Sequence, residues 1–468
     1  MISEPKTGGQ DLTPDLAVVG AGPAGLGAAI AARAAGLTVV LLDDQRRPGG
    51  QGLRQGIGAP ANPFFARDIH HVLADPAVAG VDYRPNSLVW GFDEEGLHVE
   101  GPEGRYRISA KRTVLATGAS EWVLPIPGWT LPGVVTAGGA QALLKASGVA
   151  VGRRIAIAGT GPLLLQLATQ LLSAGARLAG IFEVAFFGEW LKTASYTMAY
   201  PPAGVQGLLL CGDLWRRGIN VQWGLVPTRI VGRDRVEGLE VSPISPRSGC
   251  TRRIEADAVC LSFGLTPAYE LASMRGCRLA YDPAAGTWQV ERDEAMRSSL
   301  GDVFVAGDGV GIGGARYAIL EGQLAGCAAA QDLGALDTAE AERRKRTIRR
   351  RMNRLAPLKR FLARTYRYRP GLIAGLPLDA ILCRCEQVKV GTVRAAIRDG
   401  IVSPHELRIL TRVGMGPCQG RFCSVTAERV LALETGRSPE DLGISTSRPP
   451  VRPLAIGPEE EGLREDAI

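Results

Sequence analysis

Short apolar runs, each ended by glycine and followed by a longer run of small or apolar residues, organise the first two thirds of the chain. Residues 16–19 (LAVV) lead into GAGPAG and an alanine-rich stretch to about position 35. Residues 37–42 (LTVVLL) follow and end at Asp43. A run of four to six apolar residues bounded by glycine predicts a buried strand, and the longer run after the turn predicts a helix. The pattern is a βαβ unit. A further short strand is predicted at 114–117, closed by Gly118. The same pattern repeats from Arg154: strand IAIAG, turn GTGP, helix to about 174, and strand LAGIF ending at Glu183. Strand-like segments are then expected at 221–226, 228–231, 236–241 and 258–261. A strand at 303–307 enters GDGVGIGG, and a helix is expected over 315–332.

The character changes after that helix. From Arg343 to Arg369 there are 13 Lys or Arg and no Asp or Glu, which predicts a basic helical connector broken at Pro357 and Pro370. From Pro377 cysteines cluster. The tail is proline-rich, then acidic, and is expected to lie extended or disordered. The expected organisation is a first flavin-type nucleotide segment at 14–150 and a second, degenerate dinucleotide-binding domain at 151–262. A closing half of the first domain follows at 263–332, then the connector at 333–376, a small cysteine domain at 377–437 and the tail at 438–468.

Composition alters this picture little. Of 468 residues, 46% are apolar and 22% charged, the profile of a globular protein. The net charge of +7 comes from the connector, since 7 − 13 leaves −6 elsewhere, so a nucleic-acid-coating protein is not expected. The polar start MISEPKTGGQDLTPD predicts no secretory signal. Two uncharged runs, 16–32 and 155–176, each carry a Gly-x-Gly-Pro turn and read as strand plus helix rather than membrane spans. The four histidines (His70, His71, His98, His405) have no evident acid–base partners, and no catalytic residue is expected on this chain.

Gly20, Gly22 and Gly25 form G-x-G-x-x-G between a strand and a helix, with Pro23 and Ala24 opening that helix. The first glycine permits the turn, the second admits a pyrophosphate, and the third lets helix and strand approach. Asp43, 18 residues after Gly25, stands where an acid receives ribose hydroxyls. Three distant features favour FAD: Gly50 and Gln51 of PGGQ, Thr117 and Gly118, and Gly307 and Asp308. As a set they resemble the two-dinucleotide-binding flavoproteins over about 14–332. The resemblance implies an α/β fold and assigns Asp308 to the ribitol chain.

Gly159, Gly161 and Glu183 mark a second nucleotide site, but Leu164 replaces the third glycine. That side chain is expected to push the helix from the strand or narrow the phosphate path. NADH, another adenine nucleotide (ATP or ADP) and a structural remnant all remain open. The first cysteine is Cys211, so the cysteine pair of thioredoxin reductases is not expected.

Cys383 and Cys385 are followed, after 32 intervening residues, by Cys418 and Cys423. Four thiols in two close pairs suit zinc or a [2Fe–2S] cluster. Their glycine-rich flanks offer backbone N–H groups to the sulfurs, and Arg384, Arg412 and Arg421 add positive charge. Cys211, Cys250, Cys260, Cys277 and Cys327 are scattered.

Residues 381–433 resemble the bacterioferritin-associated-ferredoxin-like (BFD-like) [2Fe–2S] domain. CRCEQV, TRVGMGPCQGRFC, AGTGPLLLQLA and GDGVGIGGARYAILEGQLAG together resemble the larger, α subunit of heteromeric FAD/[2Fe–2S] amine dehydrogenases: opine oxidases, D-hydroxyproline dehydrogenases and the hydrogen cyanide synthase flavoprotein subunit. The resemblance implies an electron-transfer subunit holding FAD and a [2Fe–2S] cluster. It would receive electrons from an FAD-dependent, D-amino-acid-oxidase-like β subunit, then pass them to a quinone or other acceptor. It also admits a small [2Fe–2S] γ subunit, with a cytoplasmic location and peripheral contact on the inner membrane. A self-contained NADH-dependent reductase feeding its own cluster is the alternative.

Overall fold

The computed structural model describes residues 11–53, 80–198, 201–244 and 250–455. Two five-stranded parallel sheets form its centre. The first has the order Val303–Val305, Arg112–Leu115, Leu16–Val19, Val39–Leu42, Asp82–Arg84. Helix Pro23–Arg33 covers one face together with helix Ala315–Asp332. The central strands are buried along their whole length, as expected where both faces are covered.

The second sheet runs Val221–Trp223, Arg177–Glu183, Arg154–Gly159, Ala258–Ser262, Val134–Thr136, again parallel. Val134–Thr136 and the helix Ala137–Ser147 pack with this second unit, so its sheet reaches back into the 14–150 segment. The strand pair Ala119–Glu121 and Leu265–Pro267 carries the chain between the two units.

The connector differs from its expectation. Helix Thr338–Thr365 runs through Pro357 without a break. Asp337 caps its start by accepting the Glu340 N–H at 2.9 Å. An interior proline costs about 3 kcal/mol. Here the helix buries Met352 and Leu355 before it and Phe361 and Thr365 after it, which offsets that cost. Pro370 does mark a break and opens the next helix, Pro370–Ala374.

Two helices that the sequence pattern did not predict, Phe187–Met198 and Pro201–Arg216, follow the second βαβ unit. The tail is partly anchored. Val451 is buried, its N–H donates to Trp90 O at 2.9 Å, and its carbonyl accepts from Arg421. Residues 456–468 lie outside the described residues, as do His70 and His71. His98 is paired with Asp93 at 2.6 Å. No helix among the described residues is long and apolar enough to cross a membrane.

Candidate cofactor sites and the cysteine module

The three motifs read as flavin-binding converge at the carboxyl ends of the first sheet, where ligands of such sheets sit. Gly22 and Gly50 lie against each other, and Gly49 N–H donates to Ala21 O at 2.8 Å. Gly307 abuts Ala24, and Gly309 rests on Thr117 and Gly118. Gly25 has no room for a side chain, because a Cβ there would stand 1.7 Å from Gly20 O. Gln51 is exposed at the end of the described segment.

Asp43 is buried and braces the turn. Its Oδ2 accepts Ala21 N–H at 2.5 Å and its Oδ1 accepts Gln45 N–H at 2.8 Å. Asp308 Oδ1 accepts from Gly313 and Gly314 at 2.9 and 3.1 Å, and burial raises its pKa. Its second oxygen makes no hydrogen bond among the described residues. Thr117 Oγ1 donates to Ala268 O at 2.7 Å, tying this loop to the strand pair between the units. Sequence reasoning missed Glu321, which accepts Gly307 N–H at 2.8 Å and pairs with Arg292. An acid in the middle of an alanine-rich helix was its signal.

The second turn is built alike. Glu183 is 3% exposed and accepts from Thr160 Oγ1 at 2.6 Å, Ala185 N–H at 2.9 Å and Gly161 N–H at 3.1 Å. Burial pushes its pKa up to about 7. Leu164 points into the core with Ile155, Ile157, Leu167 and Ile181, so it fills the space beneath the helix. Tyr366 and Arg369, at the end of the connector, lie within electrostatic reach of Glu183. Arg369 is paired with Glu189 and stacks 5.5 Å from the Phe186 ring centre.

The four clustered cysteines come together from two turns. Cys383 ends strand Ile381–Cys383, and Cys423 precedes helix Ser424–Thr435. The Cys383 and Cys423 thiols are neighbours, as are those of Cys385 and Cys418. The contact between Cys383 and Cys423 holds the Cys383 pKa down to about 5 and pushes that of Cys423 up. Backbone N–H groups of Gly414, Glu386 and Cys385 face Cys383, and those of Gly420 and Phe422 face Cys418. Gly416 must be glycine, since a Cβ would stand 2.2 Å from Cys385 Cβ.

Among the described residues, three of the five non-glycine positions with positive φ, Gln387, Arg412 and Gln419, flank these turns. Such conformations persist where surroundings over-determine them, often at functional sites. Among the described residues no group of three or more His, Cys, Asp or Glu side chains is arranged to hold a metal ion. The thiols stand instead as two neighbouring pairs, Cys383 with Cys423 and Cys385 with Cys418. The donor set, four sulfurs with N–H groups aimed at them, fits the chemistry of a thiolate-bound centre.

The cysteine module shares one core with the second nucleotide unit, in which Trp122, Phe182 and Leu225 pack with Cys383, Val430 and Leu431. Trp129 Nε1 donates to Ile381 O at 2.6 Å. Arg429 is sandwiched between Trp122 and Tyr368, at 4.0 and 4.1 Å, and donates to Ala285 O and Gly286 O. A cavity of about 70 Å³ lies between Ser120 and Thr266 on one side and Gln419–Arg421 on the other.

Comparison with known proteins agrees with this geometry. Residues 14–332 match the family Pyridine nucleotide-disulphide oxidoreductase, and residues 380–458 match the Sarcosine oxidase A3 domain. An opine oxidase subunit of Rhizobium meliloti (strain 1021) is 35% identical, over 95% of this chain and 97% of that protein. Hydrogen cyanide synthase subunit HcnB of Pseudomonas aeruginosa is 32% identical, over 93% and 96%. L-proline dehydrogenase from P. horikoshii has a similar fold, with a TM-score of 0.69 at 21% identity, covering 96% of this chain and 79% of that one. The chain belongs to the flavin-dependent pyridine nucleotide-disulphide oxidoreductase family, in the branch that holds these opine oxidase and hydrogen cyanide synthase subunits.

Proposed function

We propose that this chain is the electron-transfer α subunit of a heteromeric amine or amino-acid dehydrogenase of the opine, hydroxyproline, sarcosine or glycine class. It holds FAD and a [2Fe–2S] cluster, accepts electrons from a D-amino-acid-oxidase-like β subunit, and passes them to a quinone or other acceptor. The observation that supports this is two neighbouring thiol pairs, Cys383 with Cys423 and Cys385 with Cys418, in a module that shares a core with the second nucleotide unit. Bound FAD supplies two-electron chemistry and the cluster one-electron transfer.

The chain's own residues bind and shield. Gly20, Gly22, Pro23, Ala24 and Gly25 receive the pyrophosphate at a helix start. Asp43 takes the ribose, and Asp308 takes the ribitol chain with its free oxygen. Gly50, Gln51, Thr117, Gly118 and Gly307 wall the site. Cys383, Cys385, Cys418 and Cys423 hold the cluster, with N–H groups of Gly414 and Gly420 turned to the sulfurs. Gly159, Gly161 and Glu183 hold a second adenine nucleotide. In this role the chain's residues bind and shield the cofactors, and the substrate chemistry falls to the β subunit.

Purification of the chain with its β subunit, followed by an amine screen under anaerobic conditions, tests this reading. It expects flavin bleaching only with the partner and an amine present. Rapid bleaching of the isolated chain by NADH alone would support a self-contained NADH-dependent reductase instead.

A further inference from the structure

The first turns of the basic connector helix spend their charge on neighbouring acids. Arg343 and Arg344 pair with Glu340, Lys345 and Arg349 with Glu342, and beyond the helix Arg367 and Arg369 with Glu189. Lys359 differs. It is partly buried, yet its ammonium makes no hydrogen bond or ion pair among the described residues. It stands 4.8 Å from the centre of the Tyr317 ring. Tyr317 lies in the first turn of helix Ala315–Asp332, directly after the loop that carries Asp308.

The charged groups within reach of Lys359 are Glu321, Arg292, Asp308 and Asp282. Glu321 is already committed to Arg292 and to Gly307 N–H. Asp308 is held by Gly313 and Gly314 through one oxygen only. Burial pulls the Lys359 pKa below the ordinary lysine range, and the acids oppose that pull. A half-buried ammonium held over an aromatic ring keeps its donors available to an anionic group placed beside it.

We propose that Lys359 is a flavin-tuning residue, delivered by the connector to the side of the flavin bound at Asp308, where its ammonium favours the negative charge that the ring takes up on reduction. The proposal rests on the FAD reading of the first nucleotide site. A fixed positive charge beside a flavin stabilises the reduced form and raises its reduction potential. The connector then serves the cofactor as well as joining two modules.

The test is spectroelectrochemistry of the full chain, with FAD content measured alongside, for wild type, Lys359→Met, Lys359→Gln and Lys359→Arg. Wild type without bound FAD defeats the FAD reading itself, a result distinct from those that follow. Lys359→Met and Lys359→Gln are expected to disfavour the reduced flavin at least about tenfold, about 30 mV for a two-electron couple. Lys359→Arg is expected to stay within about threefold of wild type, because it keeps the charge. One potential shared by all four proteins overturns the proposal. So does an equal shift in all three variants, since packing and not charge would then be responsible. If Lys359→Met does not fold, the Gln and Arg pair makes the same comparison.

Discussion

Trp122 Nε1 donates to Thr426 Oγ1 at 2.9 Å across 304 positions of sequence. The same indole forms one wall of the Arg429 sandwich. This contact fastens the cysteine module to the strand pair that joins the two nucleotide units. Arg429→Met removes the guanidinium from between two rings and strands the carbonyls of Ala285 and Gly286. It is expected to cost about 2–4 kcal/mol in urea unfolding. Arg429→Lys keeps the charge without the planar stack and should recover less than half of that.

Gly25 and Leu164 occupy the same place in two turns and are expected to respond in opposite ways. Gly25→Ala forces a Cβ onto Gly20 O, so FAD retention should fall at least about tenfold by absorbance, about 1.4 kcal/mol. Leu164→Ala empties a fully buried site and should cost about 2–5 kcal/mol of stability while leaving flavin content unchanged. Flavin loss in the Leu164 variant would contradict this separation.

The cysteines divide into two classes. Cys383→Ser is expected to abolish visible absorption from a cluster and to keep the flavin. Cys260→Ser, in the core of the second unit, should keep both. Metal and sulfide analysis of the two purified variants checks this. Zinc in place of iron and sulfide in the wild type would refute the cluster assignment.

Glu183 sets a pH dependence. Its pKa is raised by burial from 4.5 in the open chain to about 7 in the fold, so the folded state holds its proton more tightly. Stability is therefore expected to fall as pH rises from about 4.5 to 7, by up to about 3 kcal/mol, and to level off above that. Glu183→Gln should flatten this slope in urea melts taken at several pH values. An unchanged slope would show that Glu183 is not the titrating group.

Local pattern made much of the molecule legible. LAVVGAGPAG and IAIAGTGP announce their strands and turns because four apolar residues and a glycine decide strand, burial and φ within one short window. The close spacings of Cys383 with Cys385 and of Cys418 with Cys423 were visible in the same way, but the pairing of Cys383 with Cys423 and of Cys385 with Cys418 was not. Pairings that depend on distant residues were not. Val134–Thr136 joins the second sheet only because Ala258–Ser262 lies beside it. Pro357 continues a helix because its buried face packs on both sides of it. Nothing near Lys359 in sequence marks it apart from its arginine neighbours, because Tyr317 and Asp308 come from another element. Helix Phe187–Met198 leaves Phe187 and Leu191 exposed, so its apolar positions do not all mark a buried face.

The central claim is that one chain holds a flavin and a [2Fe–2S] cluster in redox contact. Stepwise anaerobic reduction of the full complex by its amine substrate, followed by EPR and absorbance together, tests it most directly. The account predicts flavin bleaching followed by an iron–sulfur signal of about one spin per chain, lost in Cys383→Ser. Flavin bleaching with no cluster signal in the wild type, however long the reduction continues, would contradict it.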